Sequence, residues 1–142
     1  DLEIDIDEIP KLIEKYEKNN SDTLVGVRWK AAITNLRYDI NAFGNFIINL
    51  FFNFLFQSSF NDVLCCVKIL SLEKFKSLKI LSHGFSIEVE IMAKLVLNGH
   101  RVHEEKINYN RRTAQEGKKL KLSDGWNIVW TMLKLRFLKN TI

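Results

Sequence analysis

The stretch Tyr109-Asn110-Arg111-Arg112-Thr113-Ala114-Gln115-Glu116-Gly117-Lys118-Lys119 sets two arginines and two lysines on either side of a glycine. Guanidinium forks grip phosphate oxygens in pairs and ammonium groups bind them as point charges, so such a loop suits a phosphate or diphosphate. A solvated basic loop is the competing reading. Other residues could join it. Asp1 and Glu3 open the chain two positions apart, Arg28 closes a short apolar run, and Arg37 opens the long apolar helix. Carboxylate oxygens suit a hard divalent cation, and a diphosphate held by that cation needs cationic partners. Asp62 stands at a turn before another apolar run. It could be a general base for a hydroxyl nucleophile, or equally cap its turn.

Other reactive side chains carry less. His83, His100 and His103 do not form a metal set: His100 sits in an Asn-Gly-His turn and His103 alternates with core positions on its strand, so they read as surface or hydrogen-bonded histidines. Glu88 and Glu90 fall on different faces of one helix and are not a paired acid and base. Glu88 is placed toward the candidate site, and Glu90 as an ion-pair partner. Trp126 and Trp130 lie one helical turn apart, which suits core or interface packing better than ligand stacking. Cys65 and Cys66 are adjacent, too few for a metal site and poorly placed to bridge each other. They lie in an apolar run and read as core residues in a reducing compartment.

The elements that must position these residues alternate in type. Pro10 opens a helical pattern in which Ile9, Leu12, Ile13 and Tyr16 share a face, and Asn19-Asn20-Ser21-Asp22 breaks it. Thr23-Leu24-Val25-Gly26-Val27 reads as a buried strand that delivers Arg28 at its C-terminal end. Residues 33–57 are intensely apolar, yet Asn41, Asn45, Asn49 and Asn53 recur every four residues. On a helix that spacing drifts about 40° per step, so the asparagines form one narrow polar stripe. The apolar runs are shorter than the roughly 20 residues that span a bilayer. The helix therefore either lies in a membrane interface or is buried between a sheet and other helices. Leu64–Leu70 reads as a second strand and Glu73–Leu78 as a short helix. Phe85–Leu97 reads as a helix closed by Asn98-Gly99, and Val102–Tyr109 as a third strand. A last helix starts near Ser123, taken as its N-cap. Strands alternating with helices predict an α/β fold with a mostly parallel sheet flanked by helices.

The chain has 142 residues, a size for one domain, and nothing in it reads as a linker. An apolar fraction of 46% supports a packed core, and a net charge of +4 favours anionic partners. Nucleic acid ranks last among them, because the aromatics sit in apolar runs and are not interleaved with the basic residues. The chain opens on what reads as the tail of a strand, and it is expected to be one part of a larger domain.

Taken in order, these segments resemble the inverting glycosyltransferases of family 2, in particular those like dolichyl-phosphate mannosyltransferase and its bacterial polyprenyl-phosphate relatives. Asp1-Leu2-Glu3 followed by Asp7-Glu8-Ile9-Pro10-Lys11-Leu12 resembles the segment at and after the family's metal-binding Asp-X-Asp motif, with Asp1 as its second aspartate. Leu24-Val25-Gly26-Val27-Arg28 resembles the strand ending in Gly-Ser-Arg, with Val27 where serine is usual. Asn61-Asp62 through Lys68 resembles the Asp-containing turn and the strand after it. Gly84-Phe85-Ser86-Ile87-Glu88-Val89-Glu90 looks like the Gly-Phe-X-X-Glu-X-Glu helix start. Tyr109 to Thr113, Glu116 to Lys119 and Asp124-Gly125 look like the closing arginine and Gly-Lys loop. Asn41 stands where relatives often have serine.

The resemblance covers nearly the whole chain. It implies the C-terminal part of a GT-A-type, nucleotide-diphospho-sugar transferase fold, with residues 1–142 a partial catalytic domain whose N-terminal, nucleotide-binding half lies elsewhere. It implies a hexosyltransferase that moves a sugar with inversion from a GDP- or UDP-linked donor to polyprenyl or dolichyl phosphate, or a related membrane-associated acceptor. Asp1 and Glu3 would hold Mg²⁺ or Mn²⁺; Arg28, Arg37, Arg112, Lys118 and Lys119 would contact phosphates; Asp62 would be the base if the acceptor is a hydroxyl. The Asn41–Phe56 helix would lie against the cytoplasmic face of a membrane. The piece by itself is expected to be inactive. The competing expectation is a non-catalytic basic module that docks on a membrane surface.

Overall fold

Thr23–Val27 (β1) is the strand around which the chain is organised, and all five of its residues are buried. The structure, a computed structural model, describes residues 5–28, 40–108 and 122–138. Around β1 are Glu8–Lys18 (α1), Ile40–Phe56 (α2), Lys68–Ile69 (β2), Leu72–Ser77 (α3), Ser86–Leu97 (α4), Val102–Lys106 (β3) and Leu122–Phe137 (α5). The sheet runs β2-β1-β3. Successive side chains of a strand point to opposite faces, and β1 uses both. Leu24 packs with Leu12 of α1, Cys65 and Ile107. Val25 packs into the larger core with Phe52 of α2, Met92 and Leu95 of α4, and Ile128 and Met132 of α5. The molecule is thus an α/β fold, a small sheet with α1 on one face and three helices on the other. Phe52 is wholly buried, and truncating such a side chain to alanine costs about 3–5 kcal/mol.

The sheet is mixed, where a mostly parallel one was expected. β1 pairs parallel with β3 but antiparallel with β2. The reason lies at Asp62. Its carboxylate returns to Arg28 at the C-terminal end of β1, so the chain starts toward β2 from the end where β1 leaves and must run back. The expected strand at Leu64–Leu70 shrinks to Lys68–Ile69, because the chain is still turning after Asp62, with Cys65 N–H donating to the Asp62 carbonyl. Gly26 N–H donates to Val67 O at 2.9 Å. A Cβ at Gly26 would meet Ile107 and Val67 at 3.1 Å, so the strand needs glycine where its neighbours close in.

α4 ends as expected, with Asn98 as C-cap and Gly99 in the left-handed region at φ +70°. It buries a charge pair. Glu90 and Lys94 are one turn apart and 2.9 Å from each other, both almost fully sealed. Glu90 also accepts from the backbone N–H groups of Leu81 and Ser82, and Lys94 donates to the Lys79 carbonyl. Glu90 is thus the ion-pair partner expected, and it pins residues 79–82 against the helix. Burial raises its carboxyl, but the bonds from Lys94, Ser82 and Leu81 outweigh that and hold it below the usual range. The last helix begins at Leu122, one residue earlier than expected, which puts Ser123 inside it.

Candidate functional site

Arg28 leaves the C-terminal end of β1, the end at which open α/β sheets carry their ligands. Asp62 meets it with a two-point fork. Arg28 Nε donates to Asp62 Oδ2 at 2.8 Å, Nη2 donates to Oδ1 at 2.8 Å, and the Arg28 backbone N–H adds a bond to Oδ2 at 3.1 Å. Asp62 is buried, with its side chain 3% exposed against 12% for Arg28. Such bidentate pairs fix direction as well as energy. Of the two readings of Asp62, the described contacts are those of a residue that closes its turn and orients Arg28.

The turn is itself held. Asn49 and Asn53, from the asparagine stripe of α2 that was expected as a polar edge, face this loop. Asn53 Oδ1 accepts from Phe60 N–H at 2.9 Å and from the Ser58 hydroxyl at 2.9 Å, while its Nδ2 donates to Phe60 O at 2.7 Å. Asn49 Nδ2 donates to the same carbonyl at 2.7 Å, and its Oδ1 accepts from Val63 N–H at 3.0 Å. From β3, Glu104 Oε1 accepts from Asn61 N–H at 2.7 Å and Asp62 N–H at 3.3 Å, and Oε2 accepts from Asn61 Nδ2 at 2.6 Å. The sequence did signal part of this. An amide that recurs within an apolar helix must find partners when it is covered. Glu104 gave no signal, since an acidic residue on a short strand reads as solvated.

Next to the turn, Lys68 donates to the Glu88 carboxylate and to the Cys65 carbonyl, which brings Glu88 to this end of the sheet. Cys65 is buried, but Cys66 is exposed, so only one of the two cysteines belongs to the core. The Cys65 thiol donates to Cys66, and together with the nearby Arg28 and Lys68 charges this pulls Cys66 down to about 6. The same bond, with burial and the Asp62 charge, pushes Cys65 up.

Elsewhere, a cleft of about 440 Å³ lies between the 82–86 turn and α5, lined by His83, Phe85, Asp124, Asn127, Trp130 and Lys134 among others. His100 lies 3.9 Å from Asp22, and His103 lies 3.5 Å from Glu105. Trp126 and Trp130 are not core residues. They are 71% and 50% exposed, and Ile128, Met132 and Leu135 form the inner face of α5. Lys134 Nζ sits 5.5 Å from the Trp130 ring. α2 also presents an outer stripe, Phe43, Phe46, Ile47, Leu50 and Phe54, all exposed. Among the described residues no helix is long and apolar enough to cross a membrane.

Of the residues singled out from sequence, the structure brings Arg28 and Asp62 together. Asp1, Glu3, Arg37, Arg112, Lys118 and Lys119 lie outside the described residues. Among the described residues no group of three or more His, Cys, Asp or Glu side chains could hold a metal ion. No family model, curated protein or solved structure matches this chain.

Proposed function

We propose that this chain is the C-terminal part of the catalytic domain of a GT-A-type inverting glycosyltransferase, which transfers a sugar from a GDP- or UDP-linked donor to polyprenyl or dolichyl phosphate or a related membrane-associated acceptor. The observation that carries the reading is Arg28, held in a fork by Asp62 at the carboxyl end of the central strand, within a run of segments that resembles that family from end to end. An arginine fixed in this way offers a preorganised cation to phosphate oxygens. In this reading Arg37, Arg112, Lys118 and Lys119 add further positive charge around donor and acceptor phosphates. Asp1 and Glu3 would hold Mg²⁺ or Mn²⁺, which would supply charge against the departing diphosphate. A phosphate acceptor is already an oxyanion and attacks the anomeric carbon without a base, so Asp62 is needed to hold Arg28; a hydroxyl acceptor would call on Asp62 as base. The outer apolar stripe of α2 supports a seat in a membrane interface, next to a lipid-borne acceptor; the resemblance puts that seat on the cytoplasmic face.

That same stripe supports a second reading, a non-catalytic module that docks on lipid. One experiment separates the two. The full-length protein is incubated with radiolabelled GDP- or UDP-linked sugar, Mn²⁺ and vesicles carrying polyprenyl phosphate, and label is counted in the lipid extract. Transfer that disappears in Asp1→Ala and Arg112→Ala while vesicle binding persists supports the transferase. Vesicle binding with no transfer by the unaltered protein, across both donor classes, favours the docking module.

A further inference from the structure

We infer that Asn49, Asn53 and Glu104 are positioning residues that aim Asp62, and through it Arg28; the functional weight of this rests on the reading of Arg28 as a phosphate-contacting group. The bonds to Phe60 show the device. Asn53 gives its amide oxygen to the Phe60 N–H and its amide nitrogen to the Phe60 carbonyl, so it pairs with that residue as a neighbouring strand would. Asparagine has both a donor and acceptors in one plane, which aspartate and leucine lack. Asn49 reaches over the turn to take the Val63 N–H as well as the shared Phe60 carbonyl. Glu104 takes the N–H groups of Asn61 and Asp62 from the opposite side. The segment that carries Asp62 is thereby tied to a helix on one side and to the parallel edge strand on the other.

These bonds do more than satisfy buried groups. Asp62 and Val63 are buried and need the bonds to their N–H groups, but Asn61 is exposed and water could serve its N–H. What water cannot do is set the direction of the next residue. A carboxylate meets a guanidinium through two parallel bonds only in one plane, so a turn free to rock would lose the fork. The frame keeps Asp62 in that plane, and Arg28 is presented in one orientation.

The test uses nitrogen-15 NMR on the full chain and reads solvent exchange of the Arg28 Nε–H, which donates to Asp62. Asn53→Asp keeps shape and acceptors but sets an oxygen against the Phe60 carbonyl. Glu104→Gln removes the charge at an exposed bond and leaves the core untouched. Either variant is expected to speed Arg28 Nε–H exchange at least tenfold, while amide shifts in α4 and α5 stay in place. Unchanged exchange in both variants, with a lowered urea midpoint, would show that the frame is structural only and overturn the proposal. If Asn53→Asp does not fold, Glu104→Gln decides. In the transfer assay the same variants are expected to lower kcat with little change in donor KM. That arm separates the two claims. A protein that transfers no sugar but shows the exchange effect keeps the frame and loses the transferase. Transfer at unaltered kcat with unaltered exchange does the reverse.

Discussion

Two ion pairs among the described residues have a buried carboxylate, and they are built for different ends. Glu90 and Lys94 lie on one helix, both sealed from solvent, with their remaining bonds spent on the backbone of residues 79–82. Arg28 and Asp62 are 34 residues apart, and Arg28 keeps some exposure at the end of a strand. The first pair holds a segment to the core. The second ties the end of β1 to the Asp62 turn and, on the proposed reading, fixes a cation for a ligand. A sealed pair is weak evidence of function, because its desolvation must be offset by surrounding bonds before it stabilises anything. A pair with one partner at the open end of a sheet has a geometry that a ligand can use.

The largest effect should come from breaking the sealed pair. Glu90→Ala strands the Lys94 charge and the Leu81 and Ser82 N–H groups, and should cost about 3–5 kcal/mol in urea unfolding. A cost under about 1 kcal/mol would mean that water reaches the pair, and the contrast would vanish. Arg28→Lys keeps the charge but loses the fork. It should cost only about 1–2 kcal/mol in the same assay and lower sugar transfer at least tenfold. A stability loss equal to that of Glu90→Ala would make the two pairs alike.

A smaller effect is chemical. Cys66 is exposed beside Arg28 and forms its thiolate as pH rises through about 6, whereas an ordinary thiol does so near about 8.5. Iodoacetamide labelling of the folded chain, followed by mass spectrometry, should therefore climb between pH 5 and 7 at Cys66 and leave buried Cys65 unlabelled (a pH range set about the usual thiol shift). Arg28→Lys should leave the profile nearly in place, since the bond from Cys65 is the main cause. A rise only above about pH 8 would show that the Cys65 thiol does not stabilise the Cys66 thiolate. The smallest effect belongs to a control: Lys18→Ala breaks an exposed pair with Glu14 and should change stability by about 0.5 kcal/mol or less.

The sequence makes some of this plain and hides the rest for physical reasons. β1 is legible because an apolar run with a single glycine and a closing arginine can hardly be anything but a buried strand. α4 is legible from its periodicity and the Asn98-Gly99 stop. The stripe Asn41 to Asn53 shows in the spacing, but not its partner, since which loop folds back on a helix is a tertiary fact. The same limit left open whether Trp126 and Trp130 pack in the core or at an interface, and their exposure removes the core. Helical spacing gives one face but not which way it turns, and here the larger aromatics point out while Ile128 and Met132 point in. The direction of β2 depends on the Arg28–Asp62 contact across 34 residues, which no local pattern encodes. For the site, Arg28 and Asp62 could be named from sequence, whereas Glu104 could not, because its role exists only once β3 lies beside β1.

That last dependence has a consequence in time. The bonds from Asn49 and Asn53 close over 5 to 14 residues, a short loop that a chain can form early at little entropic cost. The bonds from Glu104 to Asn61 and Asp62 span 43 and 42 residues and wait for β3 to pair with β1. Contacts of that range are the slow ones in folding. The helix side of the Asp62 turn can thus close before the strand side, and on the proposed frame Arg28 is held in its final orientation only once β3 has paired with β1.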